Sequence, residues 1–226
     1  MNLKSFGCSL IYGTDLPDDG RDLTYATPSH LTWPALLARK LGYQYQCYAR
    51  AGAGNLRTAE RALSQLACNE QHMYVIGWTW IDRFDYTHDD DKWRTILPGD
   101  NTQQADYYYR ELHSQYRDKL STLMAIRLTI DTLNQKGCPY IMTYMDDLMY
   151  ENQWHSTPAI TDLQEYIRPH MTTFDSMNFL DWSRENGHEI SKTSHPLESA
   201  HQAGAEYMFN VFDKQNTNGQ VPLVLS

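Results

Sequence analysis

Apolar positions along the chain follow two spacings, and the switches between them predict the architecture. Leu3 to Leu10 is short and partly apolar and runs into a polar loop from Gly13 to Gly20, as a buried strand feeding an exposed loop would, with Ser9 at the strand's C-terminal end. Between His30 and Leu41, the positions Leu31, Pro34, Ala35, Leu37, Ala38 and Leu41 fall at helical spacing, with Ser29 suited to cap the start and Gly42 to stop the end. Tyr43 to Ala49 alternates like a strand, and after Ala51-Gly52-Ala53-Gly54-Asn55 a second helix is expected to about Cys68. Met73 to Trp78 reads as a third, buried strand. Leu112, Tyr116, Leu120, Leu123, Ile126, Ile130 and Leu133 form the stripe of a long helix ending near Gly137, and Pro139 to Met145 reads as a fourth strand.

Strands and helices that alternate in this way predict an α/β fold, a three-layer sandwich with a central parallel sheet flanked by helices. Function is then expected in the loops at the C-terminal ends of the strands. No linker-like composition shift and no repeat divides the chain, so 1–226 reads as a single domain, with polar insertions near 87–104 and 150–169. The second of these is too irregular to assign an architecture.

Composition narrows the function classes. The 226 residues are 41% hydrophobic and 21% charged, which suits a chain with a full core rather than a disordered one. A formal charge of -9 argues against nucleic acid or an anionic membrane as partner, because phosphate binding draws on clustered Lys and Arg. No apolar run approaches the length of a membrane span, and Met1 to Ser5 lacks the apolar core of a signal peptide, so a cytoplasmic location is expected. Cys8, Cys47, Cys68 and Cys138 are scattered and read as reduced thiols, and no ligand spacing suggests a metal.

Four segments could carry chemistry. In Phe6-Gly7-Cys8-Ser9, a serine at a strand-to-loop junction can present both its hydroxyl and its own N–H at the sheet edge, although Gly-x-Ser is also a common turn. In Gly52-Ala53-Gly54-Asn55, small residues let the backbone approach a ligand, and Asn55 either caps the next helix or donates to an oxyanion. Gly77-Trp78-Thr79 ends the third strand, where Thr79 has a hydroxyl to donate. Ser194-His195-Pro196 leads into the last helix, with Pro196 suited to its first turn and fixing the backbone just after His195, and His195 or His201 could take a proton from Ser9. Aromatics are plentiful, among them Trp93, Trp154, Trp182 and Tyr107-Tyr108-Tyr109; of these side chains Trp78 and Trp80, which follow the third strand, are the candidates to line the cleft, and Arg83 to meet an anionic substrate group.

In this order the segments resemble the conserved blocks of the SGNH/GDSL hydrolase superfamily, especially its divergent phage and bacterial members. The resemblance implies Ser9 as nucleophile, with Cys8 in place of the usual aspartate, His195 before Pro196 as base, and Gly52 or Gly54 as the second-block oxyanion donor. Two departures stand out. Thr79 occupies the position of the family asparagine, and Lys192 lies three residues before His195, where the family has its orienting aspartate. A dyad-like enzyme is therefore expected, unless Glu189, Glu198 or a backbone carbonyl orients the ring, and His201 is the alternative base.

The function expected is a serine esterase acting through an acyl-enzyme on Ser9, on a small-molecule or carbohydrate ester, with no cofactor and no metal. The alternatives are a catalytically degraded SGNH-like domain that binds a glycan or protein partner, and a structural phage component, which would place the chain in a host cytoplasm or a virion.

Overall fold

The computed structural model describes residues 1–20, 27–66, 72–151 and 155–217. Four parallel strands form the central sheet in the order β2-β1-β3-β6: β1 (Asn2–Gly7), β2 (Gln44–Cys47), β3 (His72–Trp78) and β6 (Tyr140–Tyr144). Beyond β6, Met171 makes a parallel bridge to Met142 and the Thr172 N–H donates to the Met142 carbonyl at 2.7 Å, which extends the sheet by a short fifth edge. Strand order reverses between β1 and β3, so the loops leaving these two strands diverge and open a crevice at their C-terminal ends.

Alternation along the strands divides the core in two. Leu3, Met73, Val75 and Ile141 point to one face and pack under α1 (Ser9–Tyr12), α2 (Trp33–Leu41), α7 (Phe179–Glu185) and α8 (Glu198–Thr217). Phe6, Tyr74, Ile76, Trp78 and Met142 point to the other, under α3 (Asn55–Ser64), α5 (Gln115–Gln135) and α6 (Pro158–Ile167). All seven residues of β3 are buried, as expected of a central strand covered on both faces. The parallel sheet with helices on both sides matches the expected fold class.

Several local expectations are corrected. Ser9 does not end the first strand; β1 stops at Gly7, and Ser9 opens the short helix α1, with Cys8 in extended backbone before it. The segment near 87–104 is not a plain loop: β4 (Phe84–Thr87) and β5 (Trp93–Ile96) form an antiparallel hairpin turning through His88 to Asp91, followed by α4 (Gln103–Tyr107). Within 150–169 lies α6, which buries Ile160 and Ile167. Pro196 is not in the first turn of α8 but bridges Ile190. Cys8, Cys47 and Cys138 are free, while Cys68 and Trp154 lie outside the described residues. Among the described residues, no helix is long and apolar enough to cross a membrane, and no group of three His, Cys, Asp or Glu is placed to hold a metal ion.

Candidate active site

The end of β1 is built around two glycines. Gly7 pairs with Gly77 of β3, and Ile11 of α1 lies across both. A Cβ on Gly7 would stand 2.7 Å from the Gly77 carbonyl oxygen and 2.9 Å from Ile11 Cγ1, and one on Gly77 would stand 2.6 Å from Ile11 Cγ1. Bare backbone at both positions lets α1 settle onto the strand ends, which holds Ser9 just past the C-terminal end of β1. The Ser9 side chain makes no hydrogen bond with a described residue, and its N–H, in the first turn of α1, has no intrahelical acceptor.

Past α1 the chain turns back on itself. The Gly13 and Thr14 N–H groups both donate to the Ser9 carbonyl, at 2.8 and 3.0 Å, and the next residue is Asp15 in left-handed backbone (φ 74°). Asp15 receives His195. The ring's Nδ1 lies 2.7 Å from Asp15 Oδ2, with only 13% and 15% of the two side chains exposed. A tight loop delivers the histidine: Ile190 bridges Pro196, the Ser191 N–H donates to the His195 carbonyl at 2.8 Å, and Ser194 takes a left-handed turn at φ 62°. The Ser191 hydroxyl donates to Asp15 Oδ2 at 2.5 Å, and the Thr193 hydroxyl donates to the same oxygen. An ionised carboxylate can only accept, so a neutral ring facing it carries its proton on Nδ1 and its lone pair on Nε2. The expected dyad is corrected here: a carboxylate faces His195, and it comes from the loop after the serine. Glu189 and Glu198 are exposed and make no hydrogen bond to His195, and Lys192 is exposed on the loop.

His201 is elsewhere. It is 1% exposed in the core beneath α2, where its Nδ1 accepts the Trp33 N–H at 3.0 Å and so satisfies a first-turn donor that the Thr32 side chain leaves open. Burial above all, and then the repulsion that a protonated His195 would exert, push its pKa down to about 3, against the smaller upward pull of a hydrogen bond to the Pro196 backbone. It is a neutral internal cap in the core, not a group facing the crevice.

The second and third segments are joined to each other. Asn55 Oδ1 accepts the Thr79 N–H at 2.8 Å, and its Nδ2 donates to the Thr79 carbonyl at 3.0 Å and to the Thr122 hydroxyl at 3.2 Å. Its amide is thereby consumed as a clamp between α3 and the end of β3, which corrects its reading as an oxyanion donor. Thr79 is fully buried, and its hydroxyl has no partner among the described residues. The Gly54 N–H donates to Asp85 Oδ1 at 3.0 Å, and a Cβ there would stand 2.5 Å from Asp85 Oδ2, so Gly54 is a close-packing position rather than a free donor. Asp85 also accepts from the Arg57 N–H at 2.8 Å and the Thr95 hydroxyl at 2.6 Å; burial raises its pKa, while these three donors pull it back. Gly52, at φ 76°, has an N–H without an acceptor among the described residues.

Trp78 is wholly buried against α3 and α5, so it lines core rather than cleft. Trp80 is half-buried, with the Arg83 guanidinium over its ring at 4.8 Å, and Arg83 donates to the Ala53 carbonyl at 2.9 Å. Arg83 thus braces the Gly52–Gly54 loop. Sequence reading missed Asp15, Ser191, Thr193 and Asp85; the one local signal was that Asp15 lies in the polar loop directly after the serine.

No family model and no curated protein matches the chain. Solved structures do. A member of the lipolytic protein G-D-S-L family from Veillonella parvula is 14% identical, with a TM-score of 0.51, covering 95% of this chain and 99% of its own. The psychrotrophic esterase EstA from Pseudoalteromonas is 12% identical, with a TM-score of 0.51 and coverages of 96% and 98%. A carbohydrate esterase family 2 enzyme with a carbohydrate-binding domain, from Corynascus thermopiles, is 13% identical, with a TM-score of 0.52; the match covers 93% of this chain and 64% of that one. The chain has the SGNH/GDSL hydrolase fold.

Proposed function

We propose that the protein is a serine esterase of the SGNH type in which Ser9 is the nucleophile, His195 the base and Asp15 the orienting carboxylate. The observation that carries this reading is the Asp15–His195 pair at 2.7 Å, on a carboxylate whose neighbour Thr14 is hydrogen-bonded to the Ser9 carbonyl. A histidine fixed through Nδ1 has Nε2 free to take the Ser9 proton as Oγ attacks an ester carbonyl. The tetrahedral oxyanion is held by the Ser9 and Gly52 N–H groups. His195 then protonates the departing alcohol and activates water to release the acid. The Asp15 charge stabilises the imidazolium in both steps. Carbohydrate esters suit the reading, since solved proteins of this fold include carbohydrate esterases.

A second reading, binding of an ester-bearing glycan without turnover, is favoured by the loss of the Asn55 amide to Thr79, since one missing oxyanion donor costs about 100- to 1,000-fold in rate. A fluorophosphonate probe decides between them. An adduct on the Ser9 peptide, absent in Ser9→Ala, is the expected result; a folded protein that takes no label at Ser9 overturns the esterase reading.

A further inference from the structure

In a chain of net charge -9, positive side chains normally find carboxylates, and Arg94, Arg110, Arg117, Arg127 and Arg184 each do. Arg50, Arg57 and Arg61 do not. None of the three is in an ion pair with a described residue, yet they are drawn together. Arg57 and Arg61 are four residues apart on α3 and so share a face. Arg61 Nη1 donates to the Tyr48 carbonyl at 3.0 Å and Arg50 Nη1 to the adjacent Ala49 carbonyl at 3.2 Å, which brings two guanidinium groups to neighbouring positions just past β2. Among the described residues, the Arg57 side chain makes no hydrogen bond, and the Nε atoms of Arg57 and Arg61 are both buried without a partner. Asp85, the nearest carboxylate to Arg57, already accepts three hydrogen bonds, and Glu60 is exposed. Arg57 and Arg61 are half-buried and Arg50 is exposed; Arg50 acts on both as a like charge, against the attraction of Asp85 for Arg57 and of Glu60 for both, and their two buried Nε donors lack an acceptor among the described residues.

The place of the cluster matters. The Arg50 N–H donates to the Gly7 carbonyl at 3.0 Å, two residues before Ser9, and Gly52 follows two residues later. We infer that Arg50, Arg57 and Arg61 form an anion subsite beside the ester site, so that the preferred substrate is an ester carrying a carboxylate, sulfate or phosphate group next to the scissile bond. Guanidinium forks match such planar or tetrahedral oxyanions with paired hydrogen bonds. This rests on the Ser9 reading for its catalytic part, while the anion site itself can be measured without turnover.

The test uses meta- and para-acetoxybenzoate against the matching neutral acetoxybenzamides, with Arg57→Gln as the variant because its side chain holds no structural hydrogen bond. The ratio of kcat/KM for the anionic over the neutral ester should exceed unity in the wild type and fall roughly 10-fold in Arg57→Gln, the effect of one charge-assisted hydrogen bond, while Lys40→Gln on a distant surface leaves the ratio as it was. In parallel, calorimetric titration with sodium sulfate at constant ionic strength should show binding to the wild type that weakens by a similar factor in Arg57→Gln. Equal handling of the two esters, or sulfate binding that is absent or indifferent to Arg57→Gln, overturns the subsite. If no ester is turned over and Ser9 takes no fluorophosphonate, the nucleophile reading fails, and the sulfate titration alone decides the anion site.

Discussion

Replacing Asp15 by Asn removes one charge from the centre of the proposed site and little else. The left-handed backbone at φ 74° accepts Asn as readily as Asp, and the Asp15 N–H keeps its bond to Asp19 Oδ2 at 3.0 Å, so the fold should survive. What changes is the partner of His195. A carboxylate now accepting from the ring Nδ1, the Ser191 hydroxyl and the Thr193 hydroxyl becomes an amide that can turn an N–H toward Nδ1, which favours the tautomer with its proton on Nε2 and blocks the lone pair that takes the Ser9 proton. The charge itself matters too. With Nδ1 and Oδ2 at 2.7 Å, the imidazolium and carboxylate centres are about 4 Å apart, a separation worth about 4 kcal/mol at the effective dielectric of a partly buried pair, or about 1,000-fold in rate. Adding the tautomer defect brings the expected loss in kcat to between about 1,000- and 10,000-fold, with KM little changed, as for the equivalent substitution in serine proteases. The assay is hydrolysis of a short-chain p-nitrophenyl ester, with a thermal melt to confirm folding. An Asp15→Asn enzyme that melts normally and keeps more than about a tenth of wild-type kcat would falsify the assignment of Asp15 as the orienting group.

Three further outcomes follow from neighbouring contacts. Lys192→Asp should leave ester turnover within about threefold, because Lys192 is exposed and Asp15 already faces His195 at 2.7 Å; a gain of several orders of magnitude would restore the dyad expectation. His201→Ala should lower unfolding free energy by about 3 kcal/mol in denaturant titrations, from the cavity and the orphaned Trp33 N–H, and because the folded ring titrates near 3 against about 6.5 unfolded, wild-type stability should fall as pH drops below 6.5 by up to about 1.4 kcal/mol per unit, a dependence that His201→Gln flattens. Gly77→Ala should cost about 1–3 kcal/mol and displace α1 with Ser9, and Ile11→Ala in the same chain should return part of the loss in a thermal melt, since Ile11 is the side chain that the new methyl meets.

The sheet was legible because its strands are buried on both faces and therefore read as short apolar runs between turn residues. Met73 to Trp78 shows the principle, and the structure extends it only to His72. The β4–β5 hairpin was not legible by that rule: its strands are four residues long and mostly half-buried, and the acidic turn His88-Asp89-Asp90-Asp91 dominates the local composition. Asn55 was visible as a residue of interest, but an amide's partners are set by where the next strand ends. Its bonds to Thr79 join positions 24 residues apart, which no local spacing encodes.

The two histidines show where periodicity could have decided more than motif order did. His201 falls in line with Ala205 and Met208 at intervals of four and seven, the inward stripe of α8, and all three are buried. A histidine on that stripe has to satisfy its nitrogens inside the core, as this one does with the Trp33 N–H. His195 precedes the helix and belongs to no stripe, so its partner had to come from another part of the chain, and Asp15 lies 180 residues away. A fixed offset such as aspartate three residues before histidine is one way of bringing a carboxylate to Nδ1. The requirement that the chemistry imposes is only an acceptor at about 2.7 Å, and a loop that folds back from the proposed nucleophile meets it as well as a neighbouring turn would. On the proposed reading Lys192 at the family position is then no defect, because in this chain the carboxylate that meets His195 comes from Asp15.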